Sequence, residues 1–240
     1  DYVGYWGNSN FANHLWWHTG LFHLDICEAD RVLEIYDCHL RGSGEGERYE
    51  ELDSSALLWR LKLLEIDTNG RWAELADKWA PAAADTLYAF NDVHAMMAFA
   101  AAGHEDGKAA LLHANERYLE NASDANAAMS REIGLPFCHA IVDFQAQDYG
   151  RCVDRLVPVR YMTHKLGGSF AQRDVIGWTL LEASLRAGRY DLALALANER
   201  CALKPSSAQN WRFVARAHRG IGSRDAARRA EARAETLLAA

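Results

Sequence analysis

The apolar residues of this 240-residue chain fall into blocks that short polar turns separate. No long stretch alternates apolar and polar residues, as a half-buried β-strand would. Ala, Leu, Glu and Arg are good helix formers and dominate the blocks, and only four prolines occur in the whole chain. The pattern therefore predicts an all-α protein.

The turns between the blocks set the ends of the predicted helices. Asp53 or Ser54 is predicted to cap one helix, and Pro136 to lie in the first turn of another. Residues 42–46 are predicted to form a flexible loop. The predicted helices span residues 14–25, 28–40, 53–64, 71–79, 87–102, 105–119, a stretch starting near 136, 149–160, 169–187, 190–203, 206–219 and 224–238. Taken in pairs, they form six helical hairpins.

The predicted hairpins recur at a spacing close to 34 residues. Gly70 and Gly103 lie 33 residues apart, and Gly188 and Gly222 lie 34 apart. A glycine turn, a small residue at the helix crossing and a closing proline at this period are typical of tetratricopeptide repeats. We therefore predict a single domain over residues 1–240, a right-handed α-solenoid of about six hairpins, degenerate in the first three pairs.

Composition limits the compartment and the classes of partner that we expect for the protein. Five scattered cysteines without a CxxC pair favour a reducing, cytoplasmic compartment. A net charge of −7 argues against a nucleic-acid partner, and no apolar run reaches membrane-spanning length. The arginine-rich stretch from 212 to 240 is interpreted as the solvated face of a terminal helix. The first ten residues are turn-like and lack an initiator Met, so we expect the C-terminal part of a longer protein.

The densest group of aromatic and imidazole side chains lies between residues 13 and 18. His14 and His18 are four apart, so on a helix they share one face and could bind one metal ion. The more common arrangement is two buried histidines hydrogen-bonded to neighbouring helices. Trp16, Trp17 and the leucines around them make the helix apolar on every side. Such a helix is normally buried on every side, so we expect it at the centre of the intact protein.

Two further polar groups stand at the predicted starts of later helices. Asp92 and His94 form the first, and Gln172, Arg173 and Asp174 form the second. Ser169 and Gln172 also fit a capping box, which needs no function. The free amides of that first turn, with Arg173, could instead bind a carboxylate or phosphate. We hypothesise that Asp92, His94, Arg173 and Asp174 converge with His14 and His18 on one concave pocket.

Several strings that follow no repeat period are similar to one known family. They are His14-Leu15-Trp16-Trp17-His18, Ile35-Tyr36-Asp37, Ala56-Leu57-Leu58-Trp59-Arg60-Leu61, Gly70-Arg71-Trp72, Ala89-Phe90-Asn91-Asp92-Val93-His94-Ala95 and Gly167-Gly168-Ser169-Phe170-Ala171-Gln172-Arg173-Asp174. Together, and in this order, they resemble the tetratricopeptide repeat protein 38-like (StaR-like) family over essentially the whole chain.

The resemblance carries expectations of its own. Family members are longer at the N-terminus, which implies that about half of the intact protein precedes this chain. They have no agreed activity, and suggestions range from an interaction scaffold to an oxidative enzyme. The family usually has histidine where this chain has Phe170, which puts in doubt any metal site built on that histidine.

Two functions therefore stand side by side. The first is a helical-repeat protein that binds a peptide or protein partner in its concave groove. The second is an enzyme or small-ligand binder, metal-dependent or oxidative chemistry included, with a pocket formed by His14, His18, Asp92, His94 and Arg173. The sequence names no cofactor and does not decide whether the protein is an enzyme. An uncapped solenoid end also predicts self-association through the N-terminal helix.

Overall fold

The structure, a computed structural model, describes residues 11–41 and 49–239. No β-strand occurs in these two ranges, and helices account for most of them, which confirms the all-α prediction. The predicted loop at 42–46 and the turn-like first ten residues lie outside the described ranges. The chain separates into two compact units, unit 1 with residues 1–41 and 181–240 and unit 2 with residues 42–180. The expectation of a single domain stays a prediction.

The helices have the following bounds. They are α1 (Ala12–Asp25), α2 (Ala29–Ile35), α3 (Tyr49–Leu63), α4 (Arg71–Trp79), α5 (Ala89–Ala102), α6 (Glu105–Asn121), α7 (Ala125–Met129), α8 (Leu135–Gln145), α9 (Tyr149–Leu156), α10 (Phe170–Arg186), α11 (Tyr190–Leu203), α12 (Ala208–Ile221) and α13 (Arg224–Leu238). Two π-helical turns, Tyr36–Leu40 and Ser130–Gly134, and two 3-10 turns, Ala80–Ala82 and Thr163–Leu166, complete them.

The predicted cap of the third helix was wrong. Helix α3 begins at Tyr49, and Asp53 and Ser54 lie buried in its interior. The next residue, Ser55, accepts a hydrogen bond from the indole Nε1 of Trp79 at 3.0 Å. Short polar side chains resemble a cap in sequence, but here they are buried inside a helix.

Pro136 lies in the first turn of α8, as predicted, but this helix continues an earlier one. The chain is already helical from Ala125 and passes through the π-helical turn Ser130–Gly134 into α8. Inside a regular helix, a proline lacks a donor and clashes with the carbonyl four residues earlier. In the π turn the amide of Leu135 bonds to the carbonyl of Ser130, five residues back. This wider turn lets the helix continue past Pro136.

One turn geometry closes the first helix of each hairpin in the described residues. After α1, the amide of Glu28 donates to the carbonyl of His23 and the amide of Cys27 donates to that of Leu24. This is a Schellman motif, and it needs a residue with positive φ at its centre. The same pair of bonds recurs six times, around residues with φ between 61° and 87°: Cys27, Glu65, Gly103, Gln147, Gly188 and Gly222.

Unit 2 packs its hairpins against their neighbours. Helix α4 lies against α5, α3 lies against α5, and α5 lies against α8. Large side chains fill the space between them, including Trp59, Trp79, Phe99 and Phe137, all of which are buried. The indole of Trp59 donates to the hydroxyl of Thr179 at 3.0 Å, so its polar atom is satisfied inside the core.

Unit 1 joins segments from opposite ends of the sequence. Helix α1 packs on α2 and also on α12. The carboxylate of Asp25 accepts hydrogen bonds from Ser207 Oγ at 2.9 Å and Lys204 Nζ at 2.7 Å. Cys27 Sγ donates to Gln209 Oε1 at 3.4 Å, across 182 positions of the sequence. Nearest-neighbour packing of a simple repeat array does not predict this contact.

Helix α1 is buried on one side within this chain, and its burial on every side in the intact protein stays a prediction. Trp17, Gly20 and Leu24 are buried. Four large apolar residues remain exposed on and beside the helix. Their exposed fractions are 70% for Phe11, 40% for Leu15, 67% for Phe22 and 40% for Ile26. We call these four residues the apolar stripe.

The closing turns give a direct test of the hairpins. Replacing Gln147 by Gly is expected to raise the free energy of unfolding by roughly 0.5–1 kcal/mol, because glycine adopts positive φ without strain. The matched change Gly103→Gln is expected to lower it by about 1 kcal/mol, since no other atom lies near that position and only the backbone is affected. Urea unfolding with an unchanged m-value measures both. Equal effects of the same sign would contradict the assigned turns.

Candidate functional site

The two histidines of α1 lie together as their spacing predicts. The ring centroids of His14 and His18 are 4.7 Å apart in an edge-on arrangement, and His14 also stacks on Trp17 at 5.2 Å. Within the described part of the chain, no group of three or more His, Cys, Asp or Glu side chains is placed to hold a metal ion. The observed contacts of this pair are aromatic.

The seven predicted site residues are divided between the units. His14 and His18 belong to unit 1, whereas Asp92, His94, Gln172, Arg173 and Asp174 belong to unit 2. The convergence of six of them, all except Gln172, on one pocket therefore stays a prediction. The geometry of the unit 2 residues can be described in detail.

His94 is a buried, neutral imidazole. It lies in α5, is only 1% exposed, and its Nδ1 donates a hydrogen bond to the carbonyl of Phe90 at 2.7 Å. The pKa of His94 is lowered to about 4, mainly because the ring is buried. The bond to Phe90 opposes this change, and the charge of Arg60 adds to it. At neutral pH the ring carries no charge, and one of its nitrogens is bound to the backbone.

Asp92 has the opposite perturbation. Burial raises the pKa of Asp92 to about 6, assisted by the charge of Asp85, although a hydrogen bond from Asn115 works against it. Asn115 Nδ2 lies 3.1 Å from Asp92 Oδ2 and also donates to the carbonyl of Leu111. Two residues of one helix thus have pKa values that are shifted in opposite directions, so that the aspartate now has the higher value. Such shifts occur at functional sites and in structural clusters alike.

The polar triplet at the start of α10 organises its own turn. The amide of Ser169 donates to Gln172 Oε1 at 2.8 Å, and the amide of Gln172 donates to Ser169 Oγ at 3.2 Å. These two bonds are the capping box that the sequence allows. Asp174 accepts a bond from Trp178 Nε1 at 3.0 Å. Local contacts thus engage the side chains of Gln172 and Asp174.

The side chain of Arg173 is hydrogen-bonded to the glycine turn that precedes α10. Its Nη1 donates to the carbonyl of Gly167 at 3.3 Å and to that of Gly168. Both glycines have positive φ, 85° and 71°. Two neighbouring left-handed residues turn the chain sharply, and the guanidinium binds the carbonyls that this turn presents. Anion binding by Arg173 stays a prediction.

The starts of α5 and α10 meet inside unit 2. A Cβ at Gly167 would stand 1.9 Å from the hydroxyl of Tyr88, and one at Gly168 would stand 2.7 Å from the ring of Phe90. Only glycine fits against these rings. The Phe90 ring in turn lies 4.4 Å from that of His94. Two of the predicted polar groups, 92–94 and 172–174, are therefore neighbours.

Arg60 connects α3 to the start of α10, a role that was not predicted for it. Its side chain is 1% exposed; Nη1 donates to the carbonyl of Ala56 and Nη2 to that of Ala171, each at 2.8 Å. A lone cation in the apolar run 56–61 was the available signal. Asn115, which binds Asp92, carried no signal because it stands among polar residues on α6.

A cleft of about 530 Å³ lies at the turn between α1 and α2 in unit 1. The side chains of His23 and Glu28 meet there, with Nδ1 2.6 Å from Oε2. Cys27 also lines the cleft, and burial raises the pKa of its thiol. The thiol is therefore protonated at neutral pH, which removes the thiolate that nucleophilic catalysis needs.

No protein-family model and no solved structure matches the chain. Among the helices of the described ranges, none has the length and apolar character to cross a bilayer. The function proposed below is therefore argued from the packing of the helices and from the hydrogen bonds of the polar side chains.

The opposed pKa shifts of Asp92 and His94 predict opposite changes with pH. The raised pKa of Asp92 means that the contribution of this residue to wild-type stability falls as pH rises from about 4 to 6, by roughly 3 kcal/mol. Asp92→Asn is expected to lack this loss, so it gains on the wild type over that range. The lowered pKa of His94 means that the contribution of this residue falls by roughly 3 kcal/mol as pH drops from 6.5 to 4, so the two contributions nearly cancel in the wild type. His94→Gln is expected to gain on the wild type as pH drops over that range.

Urea unfolding of both variants and the wild type between pH 4 and 7 tests this pair of expectations. The exposed Asp106→Asn is the matched control and should follow the wild type at every pH. Parallel curves for all four proteins would show that Asp92 and His94 are not perturbed in the folded state.

Proposed function

We propose that this chain is a helical-repeat protein of the tetratricopeptide type, in which the hairpins stack as a right-handed solenoid and bind a peptide or protein partner in a concave groove. The observation that carries the proposal is the recurrence of one closing turn, with the same two hydrogen bonds, at six helix ends of the described residues. Packing between neighbouring hairpins in unit 2 supports it. Stacked hairpins of this kind most often serve as interaction surfaces.

The engaged polar residues also support binding over catalysis. His94 bonds to a backbone carbonyl, Gln172 to the capping box, Arg173 to the glycine turn and Asp174 to Trp178. A catalytic group has to reach a substrate atom in its productive geometry. These side chains instead hold helix starts together, which is what a rigid interaction scaffold needs.

The family and the compartment belong to the same proposal. The strings that resemble the tetratricopeptide repeat protein 38-like family include residues with structural roles, such as Arg60, Phe90 and Gly168. We propose membership of that family on this basis. Five free thiols support a reducing, cytoplasmic location.

An enzyme or small-ligand binder is the second candidate, with a pocket of His14, His18, Asp92, His94 and Arg173. One observation favours it. The pKa of Asp92 is raised and that of His94 is lowered, which reverses the ordinary order of an aspartate and a histidine, and strongly perturbed pKa values are common at functional sites. Metal and cofactor analysis of the protein as purified tests this candidate, and a stoichiometric metal or chromophore would favour it.

Selection from a library of random displayed peptides tests the binding function. We expect enrichment of a shared motif and micromolar dissociation constants by fluorescence polarisation. Amides protected from hydrogen exchange by the peptide should lie on helices of several hairpins, because a groove draws on successive repeats. Phe22→Ser, which changes only an exposed side chain of α1, should bind the peptides as the wild type does.

Two results would count against the groove. Enrichment no better than on an unrelated helical protein would remove the binding function. Protection confined to α1, with loss of binding in Phe22→Ser, would move the site to the apolar stripe.

A further inference from the structure

Helix α1 carries apolar residues on two opposite sides. The apolar stripe has spacings of four, seven and four residues, from Phe11 through Leu15 and Phe22 to Ile26. At 3.6 residues per turn, these positions fall within a sector of about 60°. The buried residues Trp17, Gly20 and Leu24 point about 180–240° away from Phe11 on the same helix. The stripe is therefore separate from the side that packs inside unit 1.

The exposed side of α1 lacks the charges that usually cover a solvated helix. From Phe11 to Ile26 the single charged residue is Asp25, and its carboxylate is already bound by Ser207 and Lys204. Solvent-facing helix sides normally carry charged and polar residues. An apolar stripe without charge is typical of a surface that another molecule covers.

We propose that the apolar stripe is a self-association surface, on which α1 packs antiparallel to α1 of a second copy of this chain. The spacing four, seven, four is the same when it is followed from either end. A two-fold axis between His18 and Thr19 therefore brings Phe11 opposite the second copy's Ile26, and Leu15 opposite its Phe22. Each aromatic ring then meets an aliphatic side chain, and the interface is isologous, as in most symmetric dimers.

The exposed area is adequate for the centre of such an interface. Phe11 and Phe22 are about two-thirds exposed, and Leu15 and Ile26 are 40% exposed. With roughly 200 Å² for each large side chain, the stripe offers on the order of 400 Å² per copy. A stable interface buries about 800 Å² per partner, so the stripe supplies about half of it and uncharged neighbours such as His14 and Thr19 supply the rim.

Sedimentation equilibrium of the chain, with variants at the stripe, tests the proposal. We expect the wild type to be a dimer at micromolar concentration, and Phe22→Glu or Leu15→Lys to raise the dimer dissociation constant at least about 100-fold. Leu203→Glu is the matched control, because Leu203 is also an exposed apolar residue of unit 1, at 70%. This control should dimerise as the wild type does. Circular dichroism should show unchanged helix content in all variants.

The double variant Leu15→Lys with Phe22→Glu tests the direction of pairing. In an antiparallel dimer each Lys at 15 faces a Glu at 22 of the second copy, so dimerisation should return. In a parallel dimer like charges face each other, and the double variant should stay monomeric, which would overturn the proposed geometry.

A monomeric wild type would overturn the proposal altogether. Association that Phe22→Glu leaves unchanged would overturn it as well. The inference does not rest on the peptide-binding function, since groove binding by Phe22→Glu would survive the loss of the dimer.

Discussion

The left-handed residue after each first helix is the constraint on which the hairpins depend. At that point the chain must reverse, and two backbone bonds satisfy carbonyls that the helix end would otherwise leave open. Glycine meets the requirement without strain at residues 103, 188 and 222. Cys27, Glu65 and Gln147 meet it at a conformational cost, which the packing of the following helices must offset. Tertiary burial, rather than local preference, therefore holds half of these turns.

Local signals predicted much of the fold. Helices α4, α11 and α13 have the predicted bounds because glycine, asparagine and charged residues mark their ends. The continuous helix before α8 was not predicted, since a proline in a first turn and a proline after a π-helical turn look the same in sequence. The helix cap predicted at Asp53 or Ser54 was wrong, because the residue types that cap helices also occur as short polar residues buried inside a helix.

The contacts of the candidate site divide in the same way, into those that local spacing predicts and those that only the folded core brings about. The His14–His18 contact and the Ser169–Gln172 capping box follow from spacings of four and three residues, which local geometry determines. The bond from Arg60 to Ala171 spans 111 positions, and only the folded core brings the two together. The pKa shifts of Asp92 and His94 arise from burial, which depends on every helix that surrounds them. No single-sequence signal carries that information.

The contact between α1 and α12 has a consequence for synthesis of the chain. Asp25 bonds to Ser207, and Cys27 bonds to Gln209. The first residue of each pair leaves the ribosome long before the second. At about 5–20 residues per second, the delay is on the order of ten to forty seconds. Unit 2 is contiguous and can fold within that interval, whereas unit 1 waits for its second segment. Until then, the side of α1 that packs on α12 lacks this partner, so the helix presents apolar residues on both sides, which is the kind of surface that chaperones bind.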